Sequence, residues 1–433
     1  MSASNRLGLS LSGGGYRAAA FHLGTLKKLQ EMNVLDQVDI ISTISGGSIT
    51  GAAYCTRKNS FEEFFNELYN GLQQKNVIKK LLLSTTFLQL ILVVLAFLVP
   101  AIILLFTNYE WGSPLLIITL LIILYKFQFQ LFPASSRIEK IYDEFFFHKK
   151  SLSQLHPSPT LVIGSTNLQT ARPFTFSRTW MQDSTYQFLE RPIKFNAGDF
   201  PIARAVMAST CVPFAFTPIT IDKQFFREPS DANRIHPALV DGGVYDNQGI
   251  HKIMQRGQYN CSTIITSDAG GGMGKELSFS NTISLLVQTV NVFMMRIKNA
   301  QMVQDVYENA AASGKQIAYL SLGWNAENSI PGFITNLEKK QVPDSVIRAH
   351  ELKEEWVASP GHYTGEITNW LKERINYKSL DFPTAEEKRI ARTVGTNLTP
   401  LSKQQMDCLI KQASTLTEIQ VKLYCPALIY HYA

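Results

Sequence analysis

A serine-rich turn, within the segment DIISTISGGSIT, follows an apolar run near the start of the chain. A nucleophilic serine on a sharp strand-to-helix turn needs small residues two positions before and after it, because the two backbones approach closely there. Gly47 stands two positions after Ser45. Ser42 and Ser48 have isoleucine and threonine at that place. Ser45 is therefore the predicted nucleophile, with Thr43 in place of a small residue on its upstream side.

Three consecutive glycines, Gly13, Gly14 and Gly15, follow the strand-like run LGLSLS and precede a helical pattern. The backbone N–H groups of such a loop are free to bind an anion. A dinucleotide-binding fingerprint also fits the glycines, but it needs an acidic residue at the end of the second strand, where Ser45 stands. No Gly-Lys-Ser/Thr follows, which excludes a P-loop. We expect an oxyanion hole formed by the glycine N–H groups, with Arg17 as an added positive charge.

A serine nucleophile also needs a group that accepts its proton. None of the eight histidines stands in an informative local context. Asp241 follows an apolar run and precedes two glycines that turn the backbone, which is also typical of an ordinary turn. A carboxylate placed directly on the serine can orient it and accept its proton. Asp246 and Asp268 are alternative acids, and Asp246 is better suited to stabilising its own loop with Asn247.

Strands and helices alternate around these motifs. The strand-like runs RLGLSLS and VDIISTI and the β-branched runs TLVIGSTNL and STIITSDAG are separated by segments with helical patterns. This alternation predicts a parallel α/β sheet. From about Asn281 onward apolar residues recur at helical spacing, so the remainder is predicted to be mainly helical.

A long apolar stretch, 81–125, contains a single charged residue, Glu110, in a break between two apolar runs. The first run, 81–106, has 26 residues, more than the ~20 that a bilayer-spanning helix needs. The second, about 109–129, is weaker because a lysine near its end must reach the membrane surface. Residues 76–134 are predicted to form an inserted transmembrane hairpin. A hairpin that dips into one leaflet and a buried hairpin of a soluble fold are the alternatives.

Lysines and arginines flank both ends of this predicted hairpin, and its turn contains none. The positive-inside rule therefore places both ends, and the domain they connect to, in the cytoplasm. The first residues lack the pattern of a signal peptide.

The composition excludes several other classes of protein. The net charge is +6, and no dense basic block with interleaved aromatics indicates a nucleic-acid partner. The five cysteines are scattered and form no C-x-x-C pair, so neither a disulfide framework nor a zinc site is expected. No calcium-binding loop pattern is present either. We expect no metal and no other cofactor.

The motifs SGGGYR, TISGGS and DGG, in this order, resemble those of the patatin-like phospholipase family. The resemblance implies a Ser-Asp dyad of Ser45 and Asp241, without a catalytic histidine. It also implies that glycines 13–15 and Arg17 form the oxyanion loop. The sequence departs from the family pattern at Thr43, where the family's elbow has glycine.

The resemblance implies a three-layer α/β/α domain. The hydrophobic helical hairpin predicted at 76–134, which the basic family pattern lacks, divides this domain into two parts, 1–75 and 135–433. The resemblance implies a lipid acyl hydrolase of the phospholipase A or lysophospholipase type, and the predicted hairpin would anchor it in the membrane. Its substrate would be a membrane phospholipid or lysophospholipid, and its catalytic domain would lie on the cytoplasmic side. Acyl transfer by the same residues and a membrane interaction protein without turnover are the alternatives.

Overall fold

The fold is a mixed α/β sheet, seen in a computed structural model that describes residues 6–57, 60–254, 259–270 and 281–429. The strands within these ranges are β1 (Leu7–Leu11), β2 (Val38–Ile44), β3 (Thr160–Asn167), β4 (Arg172–Phe176), β5 (Met181–Asp183), β6 (Ile219–Thr220), β7 (Ala238–Asp241), β8 (Thr263–Asp268) and β9 (Gln316–Ser321). The main path through the sheet has the order β5-β4-β3-β2-β1-β8-β9, and β7 pairs with both β3 and β6.

The centre of the sheet is parallel, as the alternation of elements predicts. Strands β3, β2, β1, β8 and β9 run in the same direction, whereas β4, β5, β6 and β7 pair antiparallel to their neighbours. Every residue of β1 is buried. Burial on both faces is typical of a parallel strand covered by helices on each side.

Helices flank this sheet. Their bounds in the described ranges are α1 (Gly15–Glu31), α2 (Gly46–Cys55), α3 (Phe61–Gln74), α4 (Val77–Leu82), α5 (Thr85–Leu104), α6 (Gly112–Lys126), α7 (Gln128–Leu131), α8 (Ala134–Tyr142), α9 (Ser184–Gln187), α10 (Ile202–Ser209), α11 (Gly243–Asp246), α12 (Ile250–Met254), α13 (Thr282–Gln301), α14 (Asn309–Ser313), α15 (Ser329–Glu338), α16 (Asp344–Ala349), α17 (Glu354–Ala358), α18 (Thr364–Arg374), α19 (Ala385–Thr393) and α20 (Lys403–Tyr424). Short π-helical segments follow α8 and α13.

Two hydrophobic cores lie on opposite faces of the sheet. Successive residues of a strand point to opposite faces, so Ile41 and Ile265 belong to one cluster while Ile40 and Ile264 belong to the other. The larger cluster includes the interface between α1 and α20, which joins the two ends of the described chain. The sheet covered on both faces confirms the predicted α/β/α fold class.

The apolar stretch forms two helices, α5 and α6, that pack against each other and expose large apolar side chains. Helix α5 has 20 residues, which gives a length of ~30 Å and matches the hydrocarbon core of a bilayer. It is long and apolar enough to cross a membrane.

Helix α6 differs from the expected second span over 109–129. It has 15 residues, or ~22 Å, and ends at Lys126. The chain then bends by 79° into the helices that follow. The apolar run stops at this point because Gln128 and Gln130 come next.

Candidate active site

The end of β2 meets the end of β7 on one edge of β3. Strand β2 runs parallel to β3 and ends where Ile44 lies opposite Gly164. Strand β7 runs antiparallel along the same edge and ends where Asp241 lies opposite Ser165. The two strands therefore point at each other, and the residues at their tips come into contact. The Ser45 hydroxyl donates a hydrogen bond of 2.8 Å to Asp241 Oδ2.

Ser45 occupies a strained turn between β2 and α2. Its φ of 48° and ψ of −121° lie in a region that residues with a side chain rarely adopt. The Ser209 hydroxyl stabilises this turn, since it accepts the Ser45 N–H at 2.9 Å and donates to the carbonyl of Gly164 at 2.6 Å. A strained strand-to-helix turn of this kind presents the serine hydroxyl at the edge of the sheet.

The small residues around the turn explain how strand and helix approach each other. A Cβ on Gly47 would overlap the carbonyl of Leu11. Thr43, the departure from the family pattern, fits because Gly51 of α2 leaves room for its side chain. A Cβ on Gly51 would lie 2.5 Å from Thr43 Cγ2. The Oγ1 of Thr43 accepts the hydroxyl of Ser48 at 3.0 Å.

The glycine loop packs directly against this turn. Gly13 donates its N–H to the carbonyl of Asn247 at 3.0 Å, so this amide is engaged elsewhere. None of the described residues accepts a hydrogen bond from the N–H groups of Gly14, Gly15 or Gly46. Gly15 has a φ of 59°, and a Cβ on Gly46 would overlap its carbonyl. The oxyanion donors available in this geometry are therefore Gly14, Gly15 and the residue after the serine.

Gly46 was not identified from the sequence. The signal for it was the elbow itself, because the residue after such a nucleophile commonly supplies an N–H to the oxyanion hole. Ser209 was also missed. It ends α10, within a small-residue helix whose pattern indicates only packing.

Arg17 lies beside the glycine loop. Its Nη2 is 3.4 Å from the place that a Cβ of Gly14 would occupy, and its Nη1 donates to the carbonyl of Val394 at 3.2 Å. Burial lowers the pKa of Arg17, and the charge of Asp268 opposes this effect. The guanidinium thus joins the loop to the C-terminal region and adds positive charge near it.

Asp241 is a buried carboxylate with two defined partners. It is 4% exposed. Oδ1 accepts the N–H of Gly243 at 2.7 Å, and Oδ2 accepts the hydroxyl of Ser45. Burial raises the pKa of Asp241 from 3.8 to about 6, although both hydrogen bonds favour the ionised form. This carboxylate is therefore a stronger base than an ordinary aspartate.

The two alternative acids have other partners. Asp246 accepts the N–H groups of Gln248, Gly249 and His251, and so stabilises its own loop. Asp268 forms a buried ion pair with Lys298 at 2.5 Å. This lysine keeps the pKa of Asp268 below its ordinary value despite burial.

No histidine among the described residues hydrogen-bonds to Ser45. His22 is buried beneath the glycine loop, where its Nε2 is 2.9 Å from the carbonyl of Ser12. Burial lowers its pKa to about 4, so the ring is neutral at physiological pH. His431 lies outside the described residues.

Helix α13 packs against α11, which begins two residues after Asp241. Ser45 is 8% exposed. Met294 of α13 lies against Gly243, with its Cε 2.9 Å from the place that a Cβ would occupy. The same helix exposes large apolar side chains, namely Leu285, Leu286, Val287, Val292, Phe293 and Met295.

A family model, patatin-like phospholipase, matches residues 9–253, a range that contains the serine, the aspartate and the glycine loop. The chain belongs to the patatin-like phospholipase family. As a patatin-like protein it is a lipid hydrolase. No curated protein sequence matches it.

Three solved structures are among those similar to this patatin-like chain. VipD from Legionella pneumophila is 13% identical, with 97% of this chain and 86% of that chain covered and a TM-score of 0.33. Human GIVD cytosolic phospholipase A2 is 12% identical, with 98% of this chain and 63% of that chain covered and a TM-score of 0.49. This chain thus spans less than two thirds of the human structure. A chain in the complex of SpcU with ExoU from Pseudomonas aeruginosa is 12% identical, with 94% of this chain and 76% of that chain covered and a TM-score of 0.25.

Proposed function

We propose that this patatin-like enzyme is a membrane-anchored phospholipase A or lysophospholipase that uses Ser45 and Asp241 as its dyad. The observation that carries the proposal is the 2.8 Å hydrogen bond from the Ser45 hydroxyl to the buried Asp241. The N–H groups of Gly14, Gly15 and Gly46, from which no described residue accepts a hydrogen bond, support the same chemistry.

In this mechanism Ser45 Oγ attacks the carbonyl carbon of an acyl ester and passes its proton to Asp241 Oδ2. The oxyanion of the tetrahedral intermediate accepts hydrogen bonds from the glycine N–H groups. Asp241 then protonates the leaving alcohol, and an acyl-serine remains. A water molecule attacks the acyl-serine, gives a proton to Asp241, and releases the fatty acid when that proton returns to Ser45.

The raised pKa of Asp241 suits this role. An aspartate that titrates near 3.8 accepts a proton weakly, whereas one with a pKa of about 6 is still ionised at neutral pH and is more basic. Each oxyanion donor typically contributes about 3 kcal/mol of transition-state stabilisation. The proton acceptor and the N–H groups together account for acyl transfer without a histidine.

Membrane anchoring by α5 would place this chemistry at the lipid surface, with the catalytic domain on the cytoplasmic side as the flanking lysines predict. The loop 211–217 supports an access route between bilayer and dyad. Its Cys211 carbonyl accepts the Asp241 N–H at 2.7 Å, and a carbonyl at its other end accepts the hydroxyl of Ser135 in α8, just after the hairpin. Val212 and Phe214 of this loop are 45% and 65% exposed. We propose that these apolar side chains contact the membrane and that acyl chains enter beside them.

The experiment is fatty-acid release from phospholipid vesicles by the purified full chain, with products separated so that free acid is distinguished from acylated alcohol. Ser45→Ala and Asp241→Asn are each expected to lower release by at least ~10³-fold, since each removes a member of the dyad. Exposed positions outside the site supply matched controls, Ser359→Ala and Asp344→Asn, which should keep full activity. Release that persists in Ser45→Ala contradicts the proposal.

A further inference from the structure

A basic cavity of about 560 Å³ lies at the N-terminal end of the apolar helix α5, between α4 and α8. Four cationic side chains line it, and Glu144 supplies a single carboxylate. The cations are Lys79, Lys80, Arg137 and Lys140. Such an excess of positive charge around a concave site favours an anionic ligand.

The cations fall into two groups. Lys80 forms an ion pair with Glu144, and Arg137 donates to the hydroxyl of Thr86 at the start of α5. Lys79 and Lys140 are exposed, and neither forms an ion pair with any residue that the structure describes. Two cations thus shape the wall of the cavity, while two remain able to bind a negative charge.

The position of the cavity relative to α5 indicates what this charge is. Ser84 and Thr85, which line the cavity, are the N-cap and the first residue of α5. From there the apolar helix continues for 20 residues, or ~30 Å, the thickness of the hydrocarbon core. If α5 spans the bilayer, the cavity lies at its boundary, where lipid phosphates begin. The adjacent Leu83 is 75% exposed, as expected for a side chain that contacts lipid.

We propose that this cavity binds the phosphate of an anionic lipid head group from the leaflet next to the catalytic domain. The proposal rests on the proposed membrane anchoring. Charge complementarity requires an anion, and continuity with the apolar surface of α5 favours a lipid over free phosphate. Helix α8 forms one wall of the cavity, and its Ser135 contacts the loop 211–217, which is hydrogen-bonded to Asp241. A lipid bound in the cavity therefore holds the catalytic domain at a fixed distance from the membrane.

The test measures binding by the full chain in detergent, on a Ser45→Ala background that prevents turnover. The probes are dihexanoyl phosphatidylglycerol, dihexanoyl phosphatidylcholine and inorganic phosphate. Lys79→Gln combined with Lys140→Gln is expected to weaken phosphatidylglycerol binding roughly 30-fold, which corresponds to about 1 kcal/mol for each lysine. The pair Lys339→Gln and Lys378→Gln, exposed and outside the cavity, removes the same charge and should leave binding unchanged.

Arginine at both positions, Lys79→Arg with Lys140→Arg, should retain the affinity, and added salt should weaken it. Equal affinity in the glutamine pair and its control overturns the site. Inorganic phosphate that binds as tightly as phosphatidylglycerol, or phosphatidylcholine that does so, overturns the anionic-lipid assignment.

Hydrolysis of a water-soluble ester by the Ser45-intact enzyme separates this inference from the proposed function. The glutamine pair should hydrolyse it at the wild-type rate. Normal hydrolysis without selective head-group binding overturns only the lipid site. Selective binding without any hydrolysis overturns only the proposed catalytic function.

Discussion

Replacing Asp241 by asparagine is expected to stabilise the protein while it abolishes activity. Burial raises the pKa of this carboxyl from 3.8 to about 6. Since this difference is about 2 pH units and each unit corresponds to about 1.4 kcal/mol, the ionised form costs about 3 kcal/mol of stability at pH 8. Asparagine has the same shape and keeps an acceptor for the Gly243 N–H, but it carries no charge that must be desolvated.

The stability of the wild type depends on pH because the pKa of Asp241 is higher in the native state than in the unfolded state. Because the native carboxyl has the higher pKa, the native state binds more protons than the unfolded state between about pH 4 and pH 6. The stability of the wild type therefore falls as the pH rises through this window, and the full cost is present above it. The advantage of Asp241→Asn should be about 3 kcal/mol at pH 8 and less than about 1 kcal/mol near pH 4.

Thermal unfolding in detergent, followed by circular dichroism from pH 4 to pH 8, measures this difference. For a chain of this length about 3 kcal/mol corresponds to a rise in Tm of ~3 °C. Asp268→Asn is the isosteric control, and its expected effect on Tm is opposite to that of Asp241→Asn. It leaves Lys298 buried without its partner and should lower Tm at pH 8. An Asp241→Asn protein that is no more stable than wild type at pH 8, or more stable by the same amount at every pH, would show that burial of the ionised Asp241 does not lower stability.

Other perturbations test the remaining parts of the site. On a water-soluble ester, kcat/KM should fall on the acid side with a midpoint near pH 6, because Asp241 must be ionised; a midpoint near pH 4 contradicts this assignment. Gly46→Ala should lower kcat by ~10²–10³-fold by displacing an oxyanion donor, and unchanged turnover would place the donors elsewhere. Ser209→Ala should lower kcat by ~10–100-fold with KM unchanged, since it removes only the hydroxyl that holds the serine turn; a change confined to KM argues against positioning. Phe214→Ser should slow hydrolysis of vesicles but not of the soluble ester, and equal loss on both would exclude a membrane contact.

The elements of the site that depend on local sequence could be predicted. Ser45 stands at the end of an apolar strand and before a small-residue helix, and both features are visible within about ten residues. The glycine loop is similarly local. Asp241 was less distinctive, because an aspartate before two glycines is typical of many turns, and its selection depended on the family resemblance.

Long-range pairing is what the sequence could not provide. The alternation of strands and helices predicts a parallel sheet, yet Asp241 reaches Ser45 only because β7 runs antiparallel along β3. Neither this register nor the contact of Ser209 with the serine turn leaves a pattern in adjacent residues. Gly51, which makes room for Thr43, is similarly visible only once strand and helix are packed.

The bounds of α6 were also beyond the sequence pattern. Apolar composition extends the expected span on both sides, whereas helix length is set by where the chain bends, after Lys126. Whether the hairpin crosses the bilayer remains a prediction.

The proposed mechanism requires that Asp241 activates Ser45 as the nucleophile. Labelling the purified protein with a fluorophosphonate and mapping the adduct by peptide mass spectrometry tests it most directly. We expect an adduct on Ser45, no labelling of Ser45→Ala, and labelling of Asp241→Asn that is slower by at least ~10²-fold. An adduct on another residue, or labelling of Ser45→Ala at the wild-type rate, contradicts the mechanism.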